Sequence, residues 1–305
     1  VPEMQETTVP TLTNNINDVA LVFEGGGMRN AYTAAVVSEF VEQGLFFDHV
    51  SGISAGSSHT VNYISRDPKR SYETFVDVAE YPEFGGLDHF ARGRGFFNAQ
   101  WIYEEIGKPD GAMPFDIDTF NANPATARVG AFNASRGEMR WFGKDDMTTL
   151  ADLGARVRAS STLPILMPPV IIDGDTYVDG ALGPNGGIPL DAPMRDGYRT
   201  FVVIATRPRD YVKGAMRTSV GAMLKANFRK FPSIYEGVAR RPVRYNATRK
   251  KMFELEEQGR AYLFFPETID IQNTEMRRER LDANYQAGLE QIRREMPAIK
   301  AFLGF

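Results

Sequence analysis

Residues 47–58 read FDHVSGISAGSS, from Phe47 to Ser58, with Gly52-Ile53-Ser54-Ala55-Gly56 at the centre. Phe47, Val50 and Ile53 make the first half apolar and strand-like. Small residues follow, then His59-Thr60-Val61-Asn62-Tyr63-Ile64 with a helix-compatible pattern. A G-x-S-x-G between strand and helix predicts a sharp turn that exposes the serine hydroxyl, a nucleophile elbow. Glycine at 52 and 56 has a steric reason. A Cβ two residues from the serine would collide where strand and helix pack together. The N–H of Ala55 would sit at the helix N-terminus, where developing negative charge is stabilised. The competing reading is an ordinary Gly/Ser turn.

Upstream, Val19-Ala20-Leu21-Val22-Phe23 reads as a buried strand that runs into Glu24-Gly25-Gly26-Gly27-Met28-Arg29-Asn30. A helical pattern starts at Ala31, with Val36, Val37, Phe40 and Val41 on one face, and stops at Gly44. This alternation predicts an α/β fold with a largely parallel sheet covered on both faces. Downstream, Pro68–Glu80 reads as a helix. Residues 81–111 are rich in glycine and aromatics without a period. They read as aromatic packing under a long loop, with a substrate-side lid as the alternative. Ala127–Asn133 and Glu138–Phe142 read as a hairpin through Ser135-Arg136-Gly137, and Val170–Val178 as another around Asp173-Gly174-Asp175. Thr148–Ser161 lies between them as a helix. Arg199–Ala205 and Ala261–Phe265 read as strands, and Thr274–Phe302 as a long charged helix interrupted or ended near Pro297. Residues 1–18, polar with Pro2 and Pro10, read as a flexible or surface-draped arm. Residues 19–305 are expected to form one domain.

The composition bounds the function. At 305 residues, with 43% hydrophobic and 24% charged residues, the chain has the make-up of a soluble globular protein. It has no cysteine, which removes disulfide and thiol chemistry, and only three histidines, which argues against a zinc site. A net charge of −4 argues against a general nucleic-acid binder. No stretch approaches the length of an apolar membrane span, so a cytoplasmic or membrane-surface location is expected.

A serine nucleophile needs a base and donors for the oxyanion. The α/β-hydrolase order puts the histidine after the serine and the acid, but the histidines here are His49, His59 and His89. His49 is five residues from Ser54 on the same strand, too close to fold back. It reads as a strand residue, His59 as a helix residue and His89 as a loop residue. The base is then a carboxylate. The candidate is Asp179, in Tyr177-Val178-Asp179-Gly180-Ala181 at the end of the second hairpin. Gly180 and Ala181 would let another backbone approach closely; an Asp-Gly turn is the competing reading. Gly25-Gly26-Gly27-Met28-Arg29 would present consecutive backbone N–H groups at a helix start, to a phosphate or an oxyanion. No Gly-Lys-Ser/Thr follows, and Asn30 stands where a dinucleotide G-x-G-x-x-G has its last glycine. Arg29 reads as a local salt-bridging residue that holds the loop.

In this order the three elements resemble the patatin-like phospholipase family, most of all its compact bacterial members. Arg158-Ala159-Ser160-Ser161-Thr162-Leu163-Pro164 is similar to that family's segment upstream of the acid. The resemblance runs from about residue 19 to about residue 210. It implies a three-layer α/β/α fold with a largely parallel central sheet. It also implies a serine lipid acyl hydrolase (phospholipase A or esterase), with Ser54 as nucleophile and Asp179 as base. The oxyanion hole implied is the backbone of Gly25, Gly26, Gly27 and Met28, joined by Ala55, with Arg29, Gly52, Gly56 and Gly180 as motif support. The acyl group would pass to Ser54 and then to water activated by Asp179, with no metal or cofactor. Asn30, where many members have glycine, departs from the pattern. Asparagine tolerates left-handed backbone, and this one could narrow the pocket.

From Lys213 to Lys251 there are eleven Lys or Arg and one acid, Glu236. Met216, Met223, Leu224, Phe228, Phe231, Ile234 and Tyr235 are interleaved with them. The favoured reading is a helix pair packed through its Met and aromatic side; the alternative is a face for anionic membrane. The partner expected is a phospholipid or other acyl ester. A carboxylesterase for small soluble esters and a non-catalytic binding protein of the same fold are the alternatives.

Overall fold

The computed structural model describes residues 12–305. Its strands are β1 (Val19–Phe23), β2 (His49–Ile53), β3 (Thr126–Asn133), β4 (Glu138–Phe142), β5 (Val170–Ile172), β6 (Asp175–Asp179), β7 (Thr200–Ile204) and β8 (Ala261–Phe264). The helices are α1 (Asn30–Glu42), α2 (Ala55–Ile64), α3 (Arg70–Phe75), α4 (Leu87–Ala91), α5 (Ile117–Ala122), α6 (Leu150–Ser161), α7 (Asp191–Arg195), α8 (Thr218–Asn227), α9 (Pro232–Glu257) and α10 (Arg278–Leu303). One sheet runs β5-β6-β3-β2-β1-β7-β8, with β4 on the far edge of β3. The pairs from β3 through β2, β1 and β7 to β8 are parallel.

Side chains of a strand alternate between faces, and here the alternation sorts the layers. Val19, Leu21 and Phe23 join Phe40 of α1 and Ile292 of α10. Ala20 and Val22 join Tyr245, Met252 and Leu255 of α9. Helices therefore cover both faces of a mostly parallel sheet, the three-layer architecture that the alternating pattern implies.

The register around β3 sets up the site. Val129 and Gly130 pair with Phe142 and Trp141 of β4 across one edge, and with Gly52 and Ile53 of β2 across the other. The next residue, Ala131, pairs with Arg140 of β4 and with Asp179 of β6. β2 and β6 thus share one edge of β3. One is parallel to β3 and the other antiparallel, so their C-terminal ends meet. Ile53 and Asp179 face consecutive residues of the same strand.

Several expectations are corrected. The helix expected over 68–80 divides into α3 and a 3-10 turn over Asp77–Glu80, because the fully buried Val76 leaves helical geometry. α10 starts later than expected, at Arg278, and runs through Pro297 without ending. Proline removes one hydrogen bond, but Ile292, Met296 and Ile299 bury the helix's apolar face on either side of it. Truncating Ile292 to alanine is expected to cost about 2–5 kcal/mol, read as a lower urea midpoint. The flexible arm expected over 1–18 lies partly outside the described residues, at 1–11. Beyond it, the N–H groups of Asn15 and Ile16 both donate to Phe46 O, and Ile16 is buried. That part of the chain is tied down, not free.

Within residues 81–111, Phe84 and Phe97 are buried, while Leu87 and Phe90 are exposed. His89 lies on the short helix α4, not in a loop. Leu224 of α8 and Ile234 of α9 are buried with Phe132, Val178 and Leu182, and Met216, Phe228, Phe231 and Tyr235 pack around them. Among the described residues, no helix is long and apolar enough to cross a membrane.

Candidate active site

Ser54 sits between β2 and α2 with φ 58° and ψ −130°. A positive φ is costly for a residue with a Cβ and persists only where neighbours enforce it. The Ser54 N–H donates to Ser160 Oγ at 2.9 Å, and Ser160 Oγ donates to Gly130 O at 2.5 Å. The Ser57 N–H and Oγ donate to Ser54 O at 2.8 and 2.5 Å. The flanking glycines leave no room for a side chain. A Cβ on Gly52 would lie 2.0 Å from Gly56 O, and one on Gly56 would lie 2.4 Å from Phe23 O.

Asp179 ends β6 and is 1% exposed. Its Oδ1 accepts the Ala181 N–H at 2.8 Å, whereas Oδ2 is buried with no hydrogen-bond partner among the described residues. Burial raises the Asp179 pKa above the usual carboxylate value; the Ser54 hydroxyl, the Ala181 N–H and the charge of Arg241 oppose that shift. No hydrogen bond of ordinary geometry joins the Ser54 hydroxyl to Asp179 among the described residues. Catalytic contacts often tighten only around a substrate. Gly180 is needed for this approach, since its Cβ would lie 2.3 Å from Gly130 O.

Two of the five expected oxyanion donors are already engaged. The Gly25 N–H donates to Gly187 O at 3.1 Å, and the Met28 N–H to Asn273 O at 3.0 Å. The expectation for Gly25 and Met28 is corrected on that ground. Among the described residues, the N–H groups of Gly26, Gly27 and Ala55 have no backbone acceptor. Asn30 opens α1 with φ −67°, so no left-handed backbone is required. Its amide donates to Gly27 O at 3.2 Å and it does not line the pocket. Arg29 has no carboxylate within ion-pair distance among the described residues, contrary to the salt bridge expected of it.

An apolar cavity opens from Ser54, with about 100 Å³ open to the centre of a water molecule. Gly27, Met28 and Ala55 line it together with the apolar side chains of Phe75, Val78, Ile106, Val157 and Met167. None of the three histidines lines it. His49 is buried and lies 2.7 Å from Asp196. His59 is buried 3.0 Å from Thr33 Oγ1, and burial pushes its pKa down to about 3. Ser160 is the residue that sequence reasoning missed. It lies inside the 158–164 stretch already singled out, but nothing in that stretch says that its hydroxyl would clamp the elbow.

A family model described as patatin-like phospholipase matches residues 21–193. The chain belongs to this family. Its patatin-like portion thus carries both the elbow and Asp179, and the family is one of lipid acyl hydrolases. A second model, for a domain of unknown function termed DUF6363, matches residues 231–304. Over 199 residues the chain is 31% identical to YjjU, an uncharacterized protein of Escherichia coli (strain K12). That match covers 62% of this chain and 52% of the relative, so the chain spans about half the length of the curated relative it matches. A crystal structure of VipD from Legionella pneumophila aligns with a TM-score of 0.48 at 12% identity, over 92% of this chain and 67% of that one.

Proposed function

We propose that this chain is a serine lipid acyl hydrolase that works through a Ser54–Asp179 dyad. The observation that carries the reading is the Asp179 carboxylate. One of its oxygens is buried and, among the described residues, unpartnered, on the strand end that meets the strained serine. Asp179 takes the proton as Ser54 Oγ attacks the ester carbonyl carbon. The oxyanion that forms lies against the N–H groups of Gly26, Gly27 and Ala55. The C–O bond to the alcohol breaks, and the departing oxygen takes the proton from Asp179. Water then attacks the acyl-enzyme, giving its proton to Asp179, and Ser54 leaves reprotonated with release of the fatty acid. The apolar cavity receives the acyl chain. Residues 19–305 act as one catalytic unit in this reading.

A fluorophosphonate probe is expected to label wild type at Ser54 and to leave Ser54→Ala unlabelled, as read by peptide mass spectrometry. Across p-nitrophenyl esters from C2 to C16, the highest kcat/KM is expected at medium or long chains. A maximum at C2 would favour a small-ester carboxylesterase. Folded wild type that takes no label and hydrolyses no ester would overturn the enzyme reading.

A further inference from the structure

One face of α2 runs along the cavity that opens from Ser54. Ser54 caps this helix, and Ser58, Val61 and Asn62, one and two turns on, line the same space. At 1.5 Å of rise per residue, Asn62 lies about 12 Å from Ser54 along the helix axis. Val61, Asn62, Arg70, Ile106 and Phe115, which line the cavity at that distance from the serine, are all buried. This end is therefore closed off from solvent.

Arg70 makes the closed end unlike the apolar walls. It is 8% exposed, and its guanidinium carbon lies 5.1 Å from the centroid of the Phe115 ring. Nε donates to Pro114 O at 3.4 Å, Nη1 to Asn62 Oδ1 at 2.9 Å and Nη2 to Met113 O at 3.1 Å. All three acceptors are neutral. A guanidinium has N–H groups to spare beyond these three, one on each Nη, and among the described residues they meet no acceptor. Space lies beside Nη2. A Cβ added to Gly107, itself a lining residue, would stand 3.2 Å from it. Among the described residues no carboxylate is within ion-pair distance of Arg70. Burial lowers its pKa to about 10 against the pull of Asp67 and Glu73, so it carries its charge at neutral pH. A buried guanidinium with neutral partners alone lacks the counter-charge that offsets its desolvation. The methyl end of an ordinary acyl chain brings none, whereas a carboxylate accepts charge-assisted hydrogen bonds from both Nη atoms.

We infer that Arg70, at the closed end of the cavity, forms a subsite for a carboxylate at the far end of the acyl chain, so that esters of ω-carboxyl acids are the preferred substrates. The inference rests on the hydrolase reading, with the acyl chain in this cavity. Three bonds of a fully extended chain span about 3.6 Å, so the span of about 12 Å takes about ten bonds. An acyl group of about ten carbons then sets its ester at Ser54 and its second carboxylate at Arg70.

The test measures kcat/KM at neutral pH for the mono-p-nitrophenyl ester of sebacic acid and for p-nitrophenyl decanoate, two ten-carbon acyl groups that differ only at the far end. Wild type is expected to favour the sebacate about tenfold or more, and Arg70→Met, checked for its urea midpoint, to lose that preference. An arginine that merely holds Met113 and Pro114 in place would move both substrates together. A sebacate-to-decanoate ratio unchanged in Arg70→Met therefore overturns the proposal, and so does a wild type that favours the decanoate. Gly107→Ala keeps Arg70 and its three bonds while filling the space beside Nη2, so it serves even where Arg70→Met fails to fold. It is expected to lower the sebacate about fivefold or more relative to p-nitrophenyl butyrate, whose chain is too short to reach that end. Equal effects on sebacate and butyrate would remove the subsite from the closed end. If wild type hydrolyses no ester, the hydrolase reading fails, and the Tm decides the subsite by itself. Sebacic acid is expected to raise the Tm of wild type more than decanoic acid does, and Gly107→Ala to shrink the difference. No difference between the two acids in wild type overturns the subsite as well.

Discussion

Ser54→Ala is expected to lower kcat/KM for a p-nitrophenyl ester by about 10³-fold or more, and Asp179→Asn by a similar factor, with kcat and not KM carrying the loss. In the proposed dyad the two groups act as a unit, so the double variant should be little worse than either single one. Asparagine keeps the size of Asp179 and an acceptor for the Ala181 N–H, so the loss reports the missing base and not a collapsed turn. The pH profile supplies an independent reading. The base works ionised, so activity is present above the Asp179 pKa and falls as pH drops through it. Burial raises that pKa, so the acid limb is expected above the ordinary carboxylate range. Asp179→Asn that keeps more than about a tenth of wild-type activity would remove Asp179 from the role of base.

The elbow, the glycine loop and Asp179 were legible because each needs residue types that few other structures require. Gly52 and Gly56 mark a turn without room for a Cβ, and the alternation of strands and helices around it marks the parallel sheet. What brings Ser54 and Asp179 together was not in the local pattern. It depends on β2 and β6 sharing one edge of β3, a tertiary pairing that no spacing encodes. Distant partners also explain the errors. Gly25 and Met28 look like free donors until Gly187 and Asn273 fold onto them. Arg29 looks like half of a salt bridge until Tyr245 and Thr206 take up Glu24. Pro297 looks like a stop until burial of the helix around it outweighs one lost hydrogen bond.

Gly52→Ala is expected to destabilise the chain by about 3 kcal/mol or more and to abolish ester hydrolysis, because the added methyl has nowhere to go. Its Cβ would lie 2.0 Å from Gly56 O and 2.4 Å from Thr60 Oγ1. The first contact is with backbone in the first turn of α2, so no side-chain rotation relieves it. The helix must lift from β2, and lifting it carries Ser54 away from Ser160 and from Asp179. Gly214→Ala is the control, since a Cβ there meets nothing within 4 Å; it should stay within about 0.5 kcal/mol of wild type. Urea denaturation followed by far-UV circular dichroism measures both. A lowered midpoint for Gly52→Ala alone means that close packing of helix on strand is what holds the serine at its strained φ. A Gly52→Ala variant as stable as wild type would mean that α2 yields at little cost, and strain at Ser54 would then need another source than the packing described.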